Sequence, residues 1–438
     1  MRFFYLISKM KLEELYQLYI KYRNITTDSR IVKNNALFFA LKGDSFDGNV
    51  YAERALKNGC SYAIIDNPEY KKDENYIVVN NVLGTLQKLG NLHRKKLDIP
   101  ILAITGTNGK TTTKELVSSV LSKKFKLTYT QGNLNNHIGV PLTLLSMDET
   151  TEFGVVEMGA NHMFEIKKLC EIAEPDYGII TNIGKAHLEG FGSFENIIKT
   201  KKELYDYVSS KSGKVFYNSD DNILSGLVEQ LELDSISYGN GTRVNGKLNS
   251  SDQFLSVKVG IGDLSLDIYT KLVGSYNLEN VLAAVCVGNY FNIPAKDIKE
   301  AIENYIPKNN RSQFIKTDKN NLYLDAYNAN PTSVELSLKN FVSLNKPNSS
   351  IILGDMLELG ENAISEHKAI LQLIRNYAFD RVILVGNVYN SMDIQDEILQ
   401  FENVNELKMW LEENSIKDSN ILIKGSRGIQ LETIVEYL

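Results

Sequence analysis

Cysteine is scarce in this chain of 438 residues: Cys60, Cys170 and Cys286 stand far apart, with no C-x-x-C. That spacing indicates neither a disulfide framework nor a zinc knuckle. No apolar run approaches the ~20 residues that cross a bilayer, so no membrane insertion is expected. Arg2–Ile7 is too short for the apolar core of a signal peptide, and Lys9 and Lys11 follow it at once. With Met10 available as a start, Met1–Lys9 reads as extra N-terminal sequence. A cationic excess is also missing. The 48 Lys and Arg face 54 Asp and Glu, a net charge of −6, which argues against a nucleic-acid partner. Long repeats and low-complexity tracts are absent. What remains is an ordinary soluble composition, 43% hydrophobic and 23% charged, long enough for two to four domains of roughly 100–200 residues. The expectation is a cytoplasmic, monomeric, multidomain protein.

Three blocks separate by pattern. Residues 1–97 mix an opening helical stripe (Leu12, Leu15, Leu18, Tyr19, Tyr22) with short strands over 35–41, 62–65 and 76–79. The polar run Arg94–Asp98 before Pro100 reads as a linker. Residues 98–307 alternate buried parallel strands (101–105, 154–157, 178–181) with helices (110–125, 194–208, 277–291). Within them 254–273 alternates like an antiparallel hairpin laid on the sheet edge. Residues 308–438 repeat the strand–helix alternation, with strands at 322–326, 351–353, 382–385 and 421–423. Helices over 332–342, 363–377 and 405–413 lie between them. The fold class is therefore α/β with three domains: a small α/β N-terminal domain, a central parallel-sheet domain and a C-terminal Rossmann-like domain.

The sharpest local feature is Ile101–Thr105 running into Gly106-Thr107-Asn108-Gly109-Lys110-Thr111-Thr112 and then a helix carrying Leu116, Val117, Val120 and Leu121. Phosphates need converging backbone N–H donors, close approach at glycine and the positive end of a helix. In such a loop Lys110 reaches the β/γ-phosphates and the Thr111 hydroxyl ligates Mg²⁺. The match to G-x-x-x-x-G-K-[ST] is imperfect, because Ile104 stands where the first glycine belongs. Strand, loop and helix together still read as an ATP or GTP site.

Two further strands end in polar groups, Phe153–Glu157 in a carboxylate and the 178–181 strand shortly before His187. Ligands gather at the carboxyl ends of parallel strands, so Glu157 and His187 suit a hard cation and its orientation. An ordinary cap or ion-pair role serves Glu157 equally well, and a lone histidine is more often structural. Thr27-Asp28-Ser29-Arg30, Asp325–Pro331 and Lys424-Gly425-Ser426-Arg427 place polar groups in turns. By physics alone each is also simply a turn or a helix start. Only ten arginines occur in the chain, and Arg30, Arg311 and Arg427 all fall in such turns, which favours phosphate or carboxylate recognition.

Across nearly its whole length the chain resembles the Mur ligase family. The resemblance rests on Thr27–Arg30 with the Phe38–Gly43 run, Thr105–Lys114, Gln131–Pro141, Val156–His162, Thr181–Ser193, Asp325–Pro331, Leu353–Gly360 and Lys424–Arg427. Asp325–Pro331 and Leu353–Gly360 are similar to the member that adds a dipeptide. The implied reaction is ATP-dependent amide formation through an acyl phosphate, joining D-alanyl-D-alanine to UDP-N-acetylmuramoyl-tripeptide. Carried over by motif, Gly106–Thr112 hold the nucleotide, with Lys110 on its phosphates and Thr111 on one Mg²⁺. Glu157 and His187 ligate a second Mg²⁺. Lys201, in Thr200-Lys201-Lys202-Glu203, is implied to be carbamylated. Asn277, Asn280, Arg311 and Asp325 are further nucleotide contacts, and Ser29 and Arg30 belong to the uridine-nucleotide site. Asn328, Asn330, Ser426 and Arg427 are candidates for the dipeptide. By this carry-over 1–97 binds the UDP-substrate, 98–307 binds ATP, and 308–438 binds nucleotide and D-Ala-D-Ala. Three departures stand out: Asn49 replaces the usual His of Asp-Gly-His, Tyr276 stands where His is common, and Lys202 takes the place of Gly in the Ala-Lys-Gly-Glu-type motif. Rival readings are a sibling ligase adding a single amino acid and a nucleotide sensor that keeps the fold alone.

Overall fold

Short strands buried at nearly every position form the centres of the parallel sheets in the computed structural model, which describes residues 11–32, 34–250, 253–308, 310–394 and 397–438. The N-terminal stretch with its candidate start Met10 lies outside the described residues. Two units pack separately. The first contains residues up to Leu102, Lys126–Met158 and Lys167–Pro175. The second contains Ala103–Phe125, Gly159–Ile166 and Asp176–Leu438.

In the first unit, strands Ile25–Thr26, Leu37–Phe39, Tyr62–Ile65 and Tyr76–Val78 form one parallel sheet in that order. Leu37, Phe39 and Ile64 point into one apolar core, Phe38, Ala63 and Ile65 into another, as a period of two requires. The segment expected to be a linker is instead the last turn of helix Val82–Leu97, closed by Asp98 in the left-handed region. Its buried Arg94 donates to the carbonyls of Ala173 and Glu174. A basic run that serves as a helix end looks like a linker in sequence because lysine and arginine are favoured in the last turn. One turn earlier, His93 sits between two tyrosines. Tyr16 Oη is 3.2 Å from Nδ1, Tyr19 Oη 3.2 Å from Nε2, and Nε2 is 2.9 Å from the Met147 carbonyl. Burial lowers its pKa from 6.5, so the imidazole is neutral. In the same unit Leu127–Tyr129 pairs in parallel with Phe153–Glu157.

In the second unit, strands Tyr177–Ile180, Lys214–Asn218 and Ser235–Tyr238 pair in parallel. The expected hairpin is present as Ser256–Ile261 and Leu264–Tyr269. It belongs to a separate three-stranded antiparallel sheet completed by Val244–Ser250, not to the edge of the parallel sheet. That third strand reads VNGKLNS, with hardly an apolar residue to announce it. The last sheet runs Gln313–Lys316, Asn321–Leu324, Asn420–Lys424, Ser349–Gly354, Arg381–Val385, Leu399–Phe401. All its pairings are parallel except the first. Ile351 and Leu353 enter one core and Ile352 the other, so helices cover both faces. Cys60, Cys170 and Cys286 are buried, and none of them forms a disulfide.

Candidate active site

The phosphate loop starts from its glycines. Gly106 has φ +144 and Gly109 φ +76, values that L side chains avoid. A Cβ at Gly106 would stand 2.0 Å from Thr181 Oγ1, and one at Gly109 2.6 Å from Asn280 Oδ1. The loop is held from the next strand end. Thr107 N–H donates to the Asn182 carbonyl (2.9 Å), Asn108 N–H to Asn182 Oδ1 (3.0 Å), and Thr181 Oγ1 to the Asn108 carbonyl (2.6 Å). Helix Lys110–Leu121 opens directly on it, presenting the first-turn N–H groups that an α-helix leaves without internal acceptors. Lys110 Nζ folds back onto the carbonyls of Gly106 and Thr107, both at 2.8 Å. Thr111 and Thr112 are buried in that first turn.

Helix Phe194–Ser210 presents Ile197, Thr200, Lys201, Leu204, Tyr205 and Val208 to the interior. Lys201 therefore lies on the apolar stripe, 3% exposed, with its ammonium 5.7 Å from the Phe191 ring. Burial, reinforced by the charge of Lys110, lowers its pKa to about 7 against the weaker pull of Glu165 and Glu203. A good fraction of this amine is neutral near pH 7. His187 adopts φ +50. Its Nδ1 lies 2.5 Å from Glu358 Oε2, and the pairing holds the Glu358 carboxyl below its usual range.

A row of buried polar side chains continues from the loop helix. Thr113 Oγ1 donates to Asn280 Oδ1 (2.9 Å), Asn280 Nδ2 to Asn277 Oδ1 (2.8 Å), and Asn277 Nδ2 to Ser312 Oγ (3.1 Å). Ser312 N–H reaches Asp325 Oδ1 at 3.4 Å. Asp325 Oδ2 accepts from Lys424 Nζ (2.6 Å) and Ser337 Oγ (3.1 Å). Burial alone would raise the Asp325 pKa; the Lys424 ammonium overrides it and the carboxyl stays below its usual value. Asn277, Asn280 and Asp325, expected at the nucleotide, are thus brought together as a row behind the loop, with Asp325 fully engaged by protein groups. Ser312, Ser337 and Lys424 were not assigned roles from sequence. Lys424 had one signal, its place at the head of the Lys424–Arg427 turn.

The Asp325–Pro331 turn meets the loop directly, because Asn330 Nδ2 donates to Asn108 Oδ1 at 2.9 Å. Asn330 also caps helix Pro331–Ser343 through Oδ1. Ser426 Oγ accepts from Leu357 N–H (2.9 Å) and donates to the Ala329 carbonyl (3.4 Å). Both side chains are therefore committed to structure, whereas Asn328 and Arg427 are exposed.

Arg311 stacks on the Tyr327 ring with Cζ 3.6 Å from its centroid, and Arg427 Nη1 donates to Tyr327 Oη; the first unit holds the remaining candidates. Glu157 ends strand Phe153–Glu157, 1% exposed; its N–H donates to Thr130 Oγ1, and Asn135 Nδ2 donates to its Oε1 at 2.8 Å. Arg30 forks onto Asp28, Nε to Oδ1 at 2.9 Å and Nη2 to Oδ2 at 2.8 Å. Hydrogen bonds from Arg30 lower the Asp28 pKa to about 2. Ser29 is buried, and its carbonyl accepts from Asn58. Asn49 is a structural hub: Nδ2 donates to Asp47 and Asp66, and Oδ1 accepts from the N–H groups of Asp66 and Asn67. Among the described residues no cluster of three or more His, Cys, Asp or Glu could hold a metal, and no helix is long and apolar enough to cross a membrane.

Three Mur ligase models match the chain. The family's catalytic domain matches 21–100, its middle domain 104–288 and its glutamate ligase domain 310–427. A UDP-N-acetylmuramoyl-tripeptide--D-alanyl-D-alanine ligase of Bacillus subtilis is 33% identical over 94% of this chain and 92% of its own length. The enzyme of that name from Haemophilus influenzae is 31% identical over 96% and 94%. A crystal structure of MurF from Acinetobacter baumannii superposes with a TM-score of 0.85 at 28% identity, covering 94% of this chain and 92% of that one. MurF ligase from Thermotoga maritima in complex with ADP shares the three-domain α/β fold, with a TM-score of 0.83 at 24% identity, over 95% and 97%.

Proposed function

The chain belongs to the Mur ligase family, and from that premise we propose that it joins D-alanyl-D-alanine to UDP-N-acetylmuramoyl-tripeptide in cytoplasmic peptidoglycan precursor synthesis, with ATP as the energy source. A carboxylate is a poor electrophile because oxide is a hopeless leaving group. An oxygen of the tripeptide carboxylate attacks the γ-phosphorus, ADP departs, and an acyl phosphate forms. The dipeptide amine then attacks the acyl carbon. The tetrahedral intermediate expels phosphate and loses a proton to leave the amide. Negative charge on oxygen grows at each step, so cations aimed at it supply much of the catalysis.

Lys110 serves the phosphates once it leaves the carbonyls of Gly106 and Thr107. Mg²⁺ takes hard oxygen ligands: Thr111 offers a hydroxyl beside the phosphates and Glu157 a carboxylate, while His187, carried over by motif, offers an imidazole nitrogen. Bound there, the metal would neutralise phosphate charge. Lys201 fits carbamylation because an amine adds to CO₂ only when neutral; its N–C bond forms as one proton leaves, and a cation becomes an anion. The N-terminal block 1–97, with Ser29 and Arg30, is assigned to the UDP-substrate, and 308–438 to the dipeptide and part of the nucleotide.

The observation that carries this reading is the direct bond between the phosphate loop and the Asp325–Pro331 motif, Asn108 to Asn330. It puts the sequence most characteristic of dipeptide addition against the ATP loop. The test is phosphate release from purified protein given ATP, Mg²⁺, UDP-N-acetylmuramoyl-tripeptide and D-alanyl-D-alanine, each omitted in turn. Release that needs all four, with a product heavier by the dipeptide, is expected. Release with a free amino acid in place of the dipeptide would make it a sibling ligase, and bound ATP without release would make it a sensor. Lys110→Ala and Glu157→Ala are each expected to abolish ligation while the fold is kept.

A further inference from the structure

Helix Ala363–Arg375 buries His367 completely. Its Nδ1 lies 2.7 Å from the Ala363 carbonyl, and its Nε2 accepts from Met356 N–H at 3.0 Å. A carbonyl can only accept and an amide N–H can only donate, so Nδ1 carries the proton and Nε2 the lone pair. The imidazole is neutral and held in one tautomer. Asp355 Oδ1 stands 3.6 Å from Nε2, but that carboxylate is spent on the N–H groups of Val388 and Tyr389, at 2.8 and 3.0 Å. The Tyr389 ring packs edge-on against the imidazole, 4.6 Å between centroids.

Met356 sits in the middle of the Leu353–Gly360 motif, and its two neighbours are tied to a single serine. Ser426 N–H donates to the Asp355 carbonyl at 3.2 Å, and Leu357 N–H donates to Ser426 Oγ at 2.9 Å. The two turns lie back to back. A Cβ at Gly425 would stand 3.0 Å from Gly354 Cα, and one at Gly428 2.8 Å from Leu357 Cδ1. The turn that carries the exposed Arg427 therefore rests on residues 354–357. A buried N–H left without its acceptor is costly enough to shift the backbone that bears it, so the floor depends on His367.

We propose that His367 is a positioning residue for the incoming dipeptide: by accepting from Met356 N–H it fixes the Asp355–Leu357 turn, and through Ser426 it sets the turn that offers Arg427 to the acceptor. The occupant rests on the ligase reading above. His367 touches no substrate and acts only through the backbone between. Its two nitrogens have different work. Nε2 positions the turn, whereas Nδ1 anchors the ring to its own helix. A side chain that replaces Nε2 with another acceptor keeps the function, and one that replaces only Nδ1 does not. Glutamine reaches as far as Nε2, asparagine only as far as Nδ1.

The measurement is KM for D-alanyl-D-alanine, ATP and UDP-N-acetylmuramoyl-tripeptide in wild type, His367→Gln and His367→Asn. Spectra of ¹⁵N-histidine-labelled wild type at pH 7.5 accompany it, with His367→Gln assigning the resonance. His367→Asn should raise KM for the dipeptide by about tenfold, the scale of one lost hydrogen bond, and leave the other two near wild type. His367→Gln should stay close to wild type in all three, and the spectra should place the proton on Nδ1. An unchanged dipeptide KM in His367→Asn, or a rise shared by all three substrates, counts against the proposal. So does a dipeptide KM raised as much by glutamine as by asparagine. A change confined to kcat or to the Mg²⁺ requirement would pass the effect to Glu358 and His187 and overturn the dipeptide assignment. A proton on Nε2 in wild type overturns the proposal by itself, even where His367→Asn does not fold. Wild-type protein that does not ligate the dipeptide defeats the ligase reading instead.

Discussion

Lys201 and Lys424 are almost equally withdrawn from water, at 3% and 2% exposure, yet they sit in opposite chemical settings. Lys424 ends a sheet strand and finds Asp325 at 2.6 Å, a carboxylate that is itself held by two serines. Lys201 lies on an apolar helix stripe with an aromatic ring beside it, no ion pair among the described residues, and the like charge of Lys110 in its field. The first is a fixed cation bracing the C-terminal strand ends. The second is pushed toward a neutral amine, a nucleophile. Burial sets the penalty on charge, and the partner decides whether charge survives it.

Removing Lys201 should have the largest effect. Lys201→Met is expected to lower ligation by about a hundredfold to a thousandfold, the scale of losing one electrostatic stabiliser. A carbamate resonance from ¹³C-bicarbonate should appear in wild type at pH 8, weaken as the pH falls through about 7, and be missing from the variant. Full activity in Lys201→Met would erase the contrast between the two lysines. Next in size is the pair at the other end. Asp325→Ala strands a buried ammonium and should cost about 3–5 kcal/mol in urea unfolding. Adding Lys424→Met should recover much of it, since a buried pair replaced by apolar groups is often neutral. No recovery would show that Asp325 matters for more than Lys424.

The smallest effect sharpens the comparison with a third buried base. His93 is hydrogen-bonded to two tyrosines and the Met147 carbonyl, and burial holds its folded pKa below 6.5 against the pull of that carbonyl and of Glu149 and Asp148. The unfolded chain therefore takes up the proton first as pH drops. Stability is whole above 6.5 and declines as the pH falls through 6.5 toward the folded pKa, by at most about 1.4 kcal/mol per pH unit. Melting temperatures at pH 7.5 and 5.5 should show this slope, and His93→Gln should flatten it.

The phosphate loop was legible because strand, glycines, lysine and helix are contiguous, so the chemistry is written in one stretch. The parallel strands were legible through their short apolar runs. Relations across the chain were not. Nothing local says that Asn330 bonds Asn108, 222 residues away, or that one tyrosine carries two arginines. Asn49 shows the reverse case: in sequence it stands out as a departure from a family pattern, and in the fold its amide is spent on Asp47, Asp66 and Asn67. Val244–Ser250 escaped because pairing with a neighbour, not its own composition, makes it a strand.

The row from Thr113 to Lys424 also says where this chain resists being divided. A fragment beginning at Lys308 keeps Ser312, Asp325 and Lys424 but leaves Asn277 and Asn280 behind. Its cut edge would present Ser312 to solvent where Asn277 and Tyr276 had met it. Anyone preparing the last 131 residues as a stand-alone piece should therefore carry the helix Asn277–Tyr290 along with them.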